Sequence, residues 1–402
     1  MRWVSEEIAF PQGKRTGIST YAINLIKNLA NINPSNRYIL FISKDVTLNP
    51  ALAALQADSG CLEFVEVPKW WRWSVRPDMI NRAANAVTEK VITIPLVKRQ
   101  CLDIFHSVQQ GTPPFRIQNC QSVVTVHDLT YLIFAKTIRK RRYLRWLDRL
   151  RFSKIGQSTI LIADSENTKR DMIRLLGIDH SKIRVIYLGV GREFSPVDNP
   201  SLIQEIKTKY KIDHDYILHV GGISPTKNMR AIMQAFRELI SSYKRDIQLV
   251  LAGDFSRSPY LGDFKRGVKD LNLGNNVVLP GNIDNGELSL FYGGAALFVY
   301  PSLYEGFGLP ILEAMACGCP VVTSNTSSMP EVAGGAGLMI DPRDVAELAS
   351  AMHKILVNDE LRRKMKVNGI ERAKRFSWEK TSRETLKVYQ EAVGGSSTGN
   401  HG

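Results

Sequence analysis

Short apolar runs recur along the whole chain, each closed by polar or glycine-bearing residues, with segments of helical spacing between them. In the first half the runs predict strands at Tyr38–Ile42, Leu62–Val67, Ile104–His106, Ser122–Val126, Ile160–Ala163 and Ile183–Tyr187. Helical periodicity covers Thr20–Ala30 and Asn167–Leu176, and the polar run Asp164–Glu166 supplies capping oxygens for the second. Ser195 to Pro200, SPVDNP, reads as a linker. The alternation then restarts with Tyr216–Val220, followed by Gly221-Gly222, and continues through Ile247–Ala252, Val277–Leu279, Ala296–Tyr300, Pro320–Thr323 and Leu338–Ile340. Strands alternating with helices at this spacing imply parallel, doubly wound sheets. The expectation is an α/β chain of two Rossmann-like domains, residues 1–195 and 201–378. A last helix over 379–393 and a Gly/Ser-rich tail over 394–402, expected to be disordered, follow. Two stretches resist the pattern: Trp3-Val4 is a poor first strand, soon met by Ser5, Glu6 and Glu7, and Trp70–Gln100 reads as helix interrupted by Pro95.

Composition narrows the class. A chain of 402 residues exceeds one ordinary core, and 44% apolar with 23% charged residues is a globular balance. No apolar run approaches the ~18 residues of a membrane span. MRWVSEEIAF places two glutamates where a signal peptide needs its apolar stretch, so no export is expected. Five scattered cysteines fit reduced thiols in the cytoplasm, and Cys317-x-Cys319, in apolar context, reads as core rather than metal site. The net charge of +14 is lopsided: residues 1–195 hold 29 Lys+Arg against 16 Asp+Glu, residues 196–402 hold 24 against 23. Residues 136–154, KTIRKRRYLRWLDRLRFSK, carry nine bases and one acid among aromatics and leucines. Such a segment can lie on an anionic membrane surface, or it can be the solvated face of a helix. No nucleic-acid-binding module accompanies the charge.

The most informative stretch is Tyr300 to Thr323, YPSLYEGFGLPILEAMACGCPVVT. Glu305 and Glu313 stand eight apart, with Gly306-Phe307-Gly308 between them and Leu309-Pro310 opening a helix-forming run. Strand, glycine loop, helix and strand form a nucleotide-binding layout: glycines allow close backbone approach to a diphosphate, and a helix N-terminus favours its charge. For one glutamate beside a glycine turn an ordinary crossover would do; the whole string favours a binding site. It resembles the glutamate-x7-glutamate signature of GT-B glycosyltransferases, in particular the retaining family 4, and the resemblance extends over nearly the whole chain.

The resemblance implies two doubly wound domains facing a central cleft, the first binding the acceptor and the second a nucleotide-sugar, with the final helix crossing back to the first. GKRTGISTY, Gly13 to Tyr21, resembles the family's glycine loop, with Gly17 near the donor phosphates and Tyr21 on the acceptor side; Lys14, Arg15 and Thr16 stand where a second glycine is common. VVTVHDL ends a strand in His127-Asp128, which by resemblance hydrogen-bonds the transferred sugar and orients its loop, although an isolated histidine there could equally be satisfied by backbone. His106 is a weaker acceptor-side residue. In ILHVGGISPTKN, Lys227 matches the lysine that neutralises the diphosphate, with Gly222 and Thr226 beside it where relatives carry an arginine. In LPGNI, Ile283 falls at the loop whose main chain contacts the base. Asp213-His214-Asp215 imitates a D-x-D metal motif but lies before a strand, so no metal and no cofactor is expected.

The implied activity is retaining transfer of a hexose from a nucleoside diphosphate sugar to a hydroxyl, in polysaccharide or lipid-linked glycan synthesis, at the cytoplasmic side of a membrane. RTGISTY, VHDL and GGISPTKN are similar to mannosyltransferases of bacterial polysaccharide assembly, which favours GDP-mannose. The alternatives are a UDP-sugar such as UDP-glucose or UDP-N-acetylglucosamine, a phosphorylase or epimerase of the same fold, or a nucleotide-sugar-binding protein without chemistry. His127, Glu305 and Lys227 are the expected catalytic residues. Gly17, Gly222, Thr226, Ile283, Gly306, Phe307, Gly308, Leu309 and Glu313 complete the expected donor site.

Overall fold

A computed structural model describes residues 2–5, 16–43, 53–54, 60–67, 95, 99–108, 119–138, 152, 155–197, 199–256 and 258–394. Most of the basic-aromatic segment 136–154, nearly all of Trp70–Gln100, residues 13–15 of the first glycine loop and the tail from residue 395 lie outside these. The chain divides into two compact units, one of Met1–Gly189 with Trp378–Gly402, the other of Val190–Ser377.

In the first unit, strands β1 (Arg2–Ser5), β2 (Arg37–Ser43), β3 (Leu62–Val67), β4 (Ile104–Ser107), β5 (Gln121–Val126), β6 (Ile160–Ala163) and β7 (Ile183–Val185) form a parallel sheet in the order β3-β2-β1-β4-β5-β6-β7. The weak first strand is thus central. It pairs with β2 on one side and β4 on the other, so its ladder is supplied by neighbours and not by a pattern of its own. Helix α1 (Gly17–Ile32) begins at a capping box in which Thr16 and Ser19 satisfy each other's backbone N–H. It buries Tyr21, Ala22, Leu25, Ile26 and Leu29, a single helical stripe. Helix α2 (Glu166–Leu176) is capped by Ser165 and closed by Gly177 in the left-handed conformation, φ 65°.

The second unit repeats the topology. Strands β8 (Asp215–Val220), β9 (Ile247–Ala252), β10 (Val277–Gly281), β11 (Leu297–Tyr300), β12 (Val321–Ser324) and β13 (Leu338–Ile340) lie in the parallel order β10-β9-β8-β11-β12-β13. The largely apolar strand interiors pack against helices, with Ile217, Leu249, Leu251, Val299 and Val322 meeting Ile232, Phe236, Leu348 and Met352. Helix α3 (Met229–Ser242) supplies the second group's first two members, and helix α4 (Leu309–Ala316) follows β11. Cys317 and Cys319 are buried, and burial pushes the Cys317 thiol up to about 12, as expected of core residues.

The last helix, α5 (Trp378–Gly394), belongs to the first unit. It packs on α1 and buries Trp378, Thr381, Ser382, Thr385, Val388, Tyr389 and Ala392. The Thr381 hydroxyl donates to the Tyr187 carbonyl at 2.7 Å, and Arg184 pairs with Glu391. The expected return of the C-terminal helix to the first domain is observed. Among the described residues no helix is long and apolar enough to cross a membrane.

Candidate active site

In both sheets the strand order reverses beside the first strand of the unit, between β1 and β4 and between β8 and β11. Ligands of open α/β sheets bind at such reversals, outside the carboxyl ends of the strands. In the second unit the two loops leaving β8 and β11 carry Lys227 and Glu305. Gly221, directly after β8, has φ +151° and hydrogen-bonds Ala252; across from it Gly253 has φ +153°. The loop ends in a short turn, Pro225–Lys227, and in Asn228, whose φ of 57° is tolerated because its side-chain amide donates to the carbonyls of Pro301 (3.1 Å) and Pro342 (2.6 Å). The Leu303 N–H donates to the Thr226 carbonyl at 2.7 Å. These bonds lash the two loops together, which is how residues 78 apart in sequence meet.

Where they meet, Lys227 Nζ donates to Glu305 Oε1 at 2.7 Å and to the Tyr300 hydroxyl. The Lys227 and Glu305 side chains are 19% and 16% exposed, open enough for a ligand to reach. Burial alone would lower the lysine's pKa; the Glu305 carboxylate and the Tyr300 hydroxyl outweigh it and raise it, so Lys227 stays cationic. Glu305 is held by its backbone: its N–H donates to Ser327 Oγ at 3.1 Å, and its carbonyl accepts from Ser327 at 2.7 Å and Ser328 at 2.9 Å. Ser328 also reaches the Phe307 carbonyl, at 2.7 Å. Gly308, φ +109°, turns the chain into α4, whose start has no side-chain cap. A helix start left uncapped beside a glycine turn is a ready anion site. Glu313, on α4, is buried and accepts from the Tyr292 hydroxyl at 3.0 Å. Ile283 is buried just past β10, and Gly222 lies on the loop after β8.

The residues singled out in the first unit form their own cluster around Thr125 of β5. The Tyr21 hydroxyl and His106 Nε2 both bond Thr125 Oγ1, at 2.9 and 2.8 Å, and His106 Nδ1 bonds the Tyr389 hydroxyl at 2.7 Å. Tyr21 meets His127 edge to face at 5.0 Å. His127 Nδ1 lies 2.6 Å from Asp164 Oδ2 and its Nε2 lies 2.8 Å from the Val108 carbonyl. A carbonyl and a carboxylate can only accept, so both ring nitrogens donate and His127 is an imidazolium. Burial opposes this, but Asp164's charge and hydrogen bond, the Val108 carbonyl and Asp128's charge outweigh burial and raise its pKa. His106, wholly buried, is instead lowered to about 3, by burial first and by His127 second. Asp128 accepts from the Thr130 N–H at 2.8 Å, starting the short helix Thr130–Ile133 and so fixing its loop. Gly17 opens α1.

Sequence reasoning missed Tyr300, His219, Thr125, Asp164 and Tyr292. For Tyr300 and Asp164 a signal existed: each is a polar group at or just past the carboxyl end of a predicted buried strand, where a ligand site is expected. Nothing in the sequence set Tyr292 apart from an ordinary core aromatic.

Residues 15–194 match the Glycosyltransferase Family 4 domain and residues 203–372 the Glycosyl transferases group 1 domain. O-antigen chain mannosyltransferase B of Escherichia coli is 31% identical over 96% of this chain and 98% of its own length. The serotype-specific mannosyltransferase WbdA of the same organism is 30% identical over 67% of this chain, which spans about a third of that longer protein. Among solved structures, HepE of Anabaena in complex with UDP and glucose superposes with a TM-score of 0.74 at 16% identity, over 97% of this chain and all of that one. WaaG, a glycosyltransferase involved in lipopolysaccharide biosynthesis, gives 0.73 at 17% identity, over 97% and 99%. The near-complete match at 31% identity, two adjoining domain matches and two sheets of the same parallel order agree: this chain belongs to the family 4 glycosyltransferases and has their GT-B fold.

Proposed function

We propose that the chain transfers mannose, from GDP-mannose, to a hydroxyl of a growing bacterial polysaccharide, with retention of anomeric configuration. The observation that carries the reading is the Lys227–Glu305 pair, 2.7 Å apart beside the uncapped start of α4. It joins a cation for a departing diphosphate to a carboxylate for sugar hydroxyls. The choice of mannose rests on the E. coli O-antigen mannosyltransferase that this chain matches nearly end to end.

In this reading Lys227, the amides of Gly306, Phe307 and Gly308 and the N-terminus of α4 stabilise charge that develops on the diphosphate, as preorganised donors do in other transferases. Leu309, Gly222 and Thr226 line the phosphates, Ile283 meets the base through main chain, and Glu313 receives ribose hydroxyls, sharing that duty with Tyr292. The acceptor hydroxyl attacks the anomeric carbon as the carbon–oxygen bond to phosphate breaks, and the departing phosphate takes the acceptor's proton. No carboxylate is assigned as nucleophile: Glu305, already ion-paired, acts as a binder. Gly17 approaches the donor phosphates from the first unit, while Tyr21, His106 and Asp128 belong to the acceptor side. His127, as an imidazolium, would contact the sugar by exchanging the Val108 carbonyl for a sugar hydroxyl at Nε2. A lipid-linked acceptor at the cytoplasmic membrane face would suit the basic segment 136–154.

Thermal unfolding with GDP-mannose, UDP-glucose, UDP-N-acetylglucosamine and ADP-glucose tests the donor, because a ligand of the folded state raises the midpoint by mass action. GDP-mannose alone should raise it and should release GDP slowly in water. Stabilisation by a UDP-sugar alone would move the reading to that donor, and tight binding without release from any donor would mark a binding protein.

A further inference from the structure

Tyr300, the last residue of β11, is part of no expected site. We infer that Tyr300 is a positioning residue that fixes Lys227 for the departing diphosphate, an inference that rests on the donor-site reading above. A lysine ammonium has three donors and no acceptor. Two of its donors go to Glu305 Oε1 and to the Tyr300 hydroxyl, and among the described residues the third has no partner. The two anchors differ in kind. Glu305 sits on a loop, carries charge and is itself expected to bond the sugar, so a bound substrate competes for it. Tyr300 sits at the end of a central strand, is neutral and is buried. Burial, with Glu305's charge adding, pushes its hydroxyl pKa well up, so it stays protonated and accepts from Lys227 through an oxygen lone pair.

The Tyr300 ring is held in place independently of the lysine. His219 stacks on it at 5.6 Å and 21°, and Phe298 stacks on it at 5.6 Å and 23°. His219 is itself fixed, since its Nδ1 can only donate to the Val299 carbonyl, 3.0 Å away. The Thr323 hydroxyl donates to the Tyr300 carbonyl at 2.9 Å, tying β11 to β12 beyond the ladder. A long, flexible side chain is thereby steered by a rigid one, and the remaining donor is the one left for phosphate. Lys227 is the one cationic side chain in the Gly221–Asn228 loop, so its placement carries correspondingly more of the step.

Tyr300→Phe removes the hydroxyl and keeps the ring stacked on His219 and Phe298. The variant should unfold at the wild-type midpoint within a few degrees, bind GDP about tenfold more weakly by calorimetry and lose about tenfold in kcat/KM for GDP-mannose, comparable to removing one preorganised hydrogen bond of ordinary strength. The loss should vanish in a Lys227→Ala background, because a group that acts only through the lysine has nothing left to position. A Tyr300→Phe enzyme within twofold of wild type overturns the inference, as does a Tyr300→Phe loss that persists in full on top of Lys227→Ala. If Tyr300→Phe unfolds early, Tyr300→Trp, which keeps an aromatic ring and lacks the hydroxyl, is measured in the same cycle with the same criteria. A wild type that binds none of the nucleoside diphosphates removes the donor-site reading and this inference together; a wild type that binds and turns over, with both variants unchanged, removes the inference alone.

Discussion

At the scale of single residues, the first unit places a buried cation where the eye expects a neutral histidine. His127 donates from both ring nitrogens, to Asp164 and to Val108, and Asp164 is itself buried with Oδ1 unpartnered among the described residues. Removing one member of such a pair leaves the other charged and unpaired, a cost of about 3–5 kcal/mol. The pKa of His127 is raised on folding, so its contribution is complete below the unfolded value of 6.5 and is lost as pH rises through the raised folded value. His106 has the opposite sign: lowered to about 3, it favours the folded state above pH 6.5 and costs about 1.4 kcal/mol for each pH unit from there down to 3. Asp164→Asn should therefore destabilise the fold by about 3 kcal/mol at pH 6, and by less as pH rises through the raised value at which wild-type His127 gives up its proton. Urea unfolding of both proteins across that range checks it. A gap that widens as pH rises would contradict the imidazolium assignment. The sequence showed His127 but not its partner, because a pairing 37 residues apart depends on β5 and β6 lying side by side.

At the scale of elements, the donor site is made by loops that leave neighbouring parallel strands, and glycines set how closely those loops approach. A Cβ on Gly253 would lie 2.5 Å from the Gly221 carbonyl oxygen, with backbone that cannot swing aside, and φ +153° is already poor for an L side chain. A Cβ on Gly222 would meet nothing nearer than the Asp254 carbonyl at 3.7 Å. Gly253→Ala should therefore cost about 2–4 kcal/mol and move the Gly221–Asn228 loop, while Gly222→Ala should cost well under about 1 kcal/mol. Thermal unfolding separates them, and equal costs would show that the β8 and β9 loops yield freely. Legibility follows the same division. Ile160–Ala163 and Ile247–Ala252 are strands over the residues expected, since a buried parallel strand announces itself as a largely apolar run; Leu62–Val67 and Leu338–Ile340, sheet-edge strands, also fall where expected. β1 was nearly invisible because only Trp3-Val4 of its four residues is apolar; its pairing with β2 and β4 is what makes it a strand. Lys227, Glu305 and the Gly306–Gly308 turn were legible because each lies in a compact local motif. Tyr292 was not, because an aromatic in an apolar run looks like core until its hydroxyl is seen to face a Glu.

At the scale of the molecule, the first unit is discontinuous: its sheet is encoded by the start of the chain and its covering helix α5 by the end. Residues 190–377, by contrast, form the second unit as one segment. Helix α5 is more than a lid on α1. Tyr389 bonds His106 inside the β4–β5 layer, Ser382 donates to the Leu25 carbonyl at 3.4 Å, and Thr381 holds Tyr187 at the end of the β7 region. Ending the chain after Ser377 would leave His106, neutral and wholly buried, short of one hydrogen bond, would bare the face of α1 on which α5 packs and where Trp378 meets Tyr21, and would remove the buried Val388 and Tyr389. Losing one buried partner costs about 1–3 kcal/mol, and each large apolar side chain taken from the core about 2–5 more, which together exceed the stability of a typical domain. The truncated chain should lose the first unit and keep the second. In hydrogen–deuterium exchange, peptides spanning β4, β5 and α1 should exchange within seconds, while those of β8, β9 and β11 stay protected. GDP should still protect the Gly221–Asn228 loop, because every residue proposed to hold the diphosphate, Gly17 excepted, lies between 190 and 377. Protection of β4 and β5 that survives the truncation would mean that α5 is dispensable to the unit it completes.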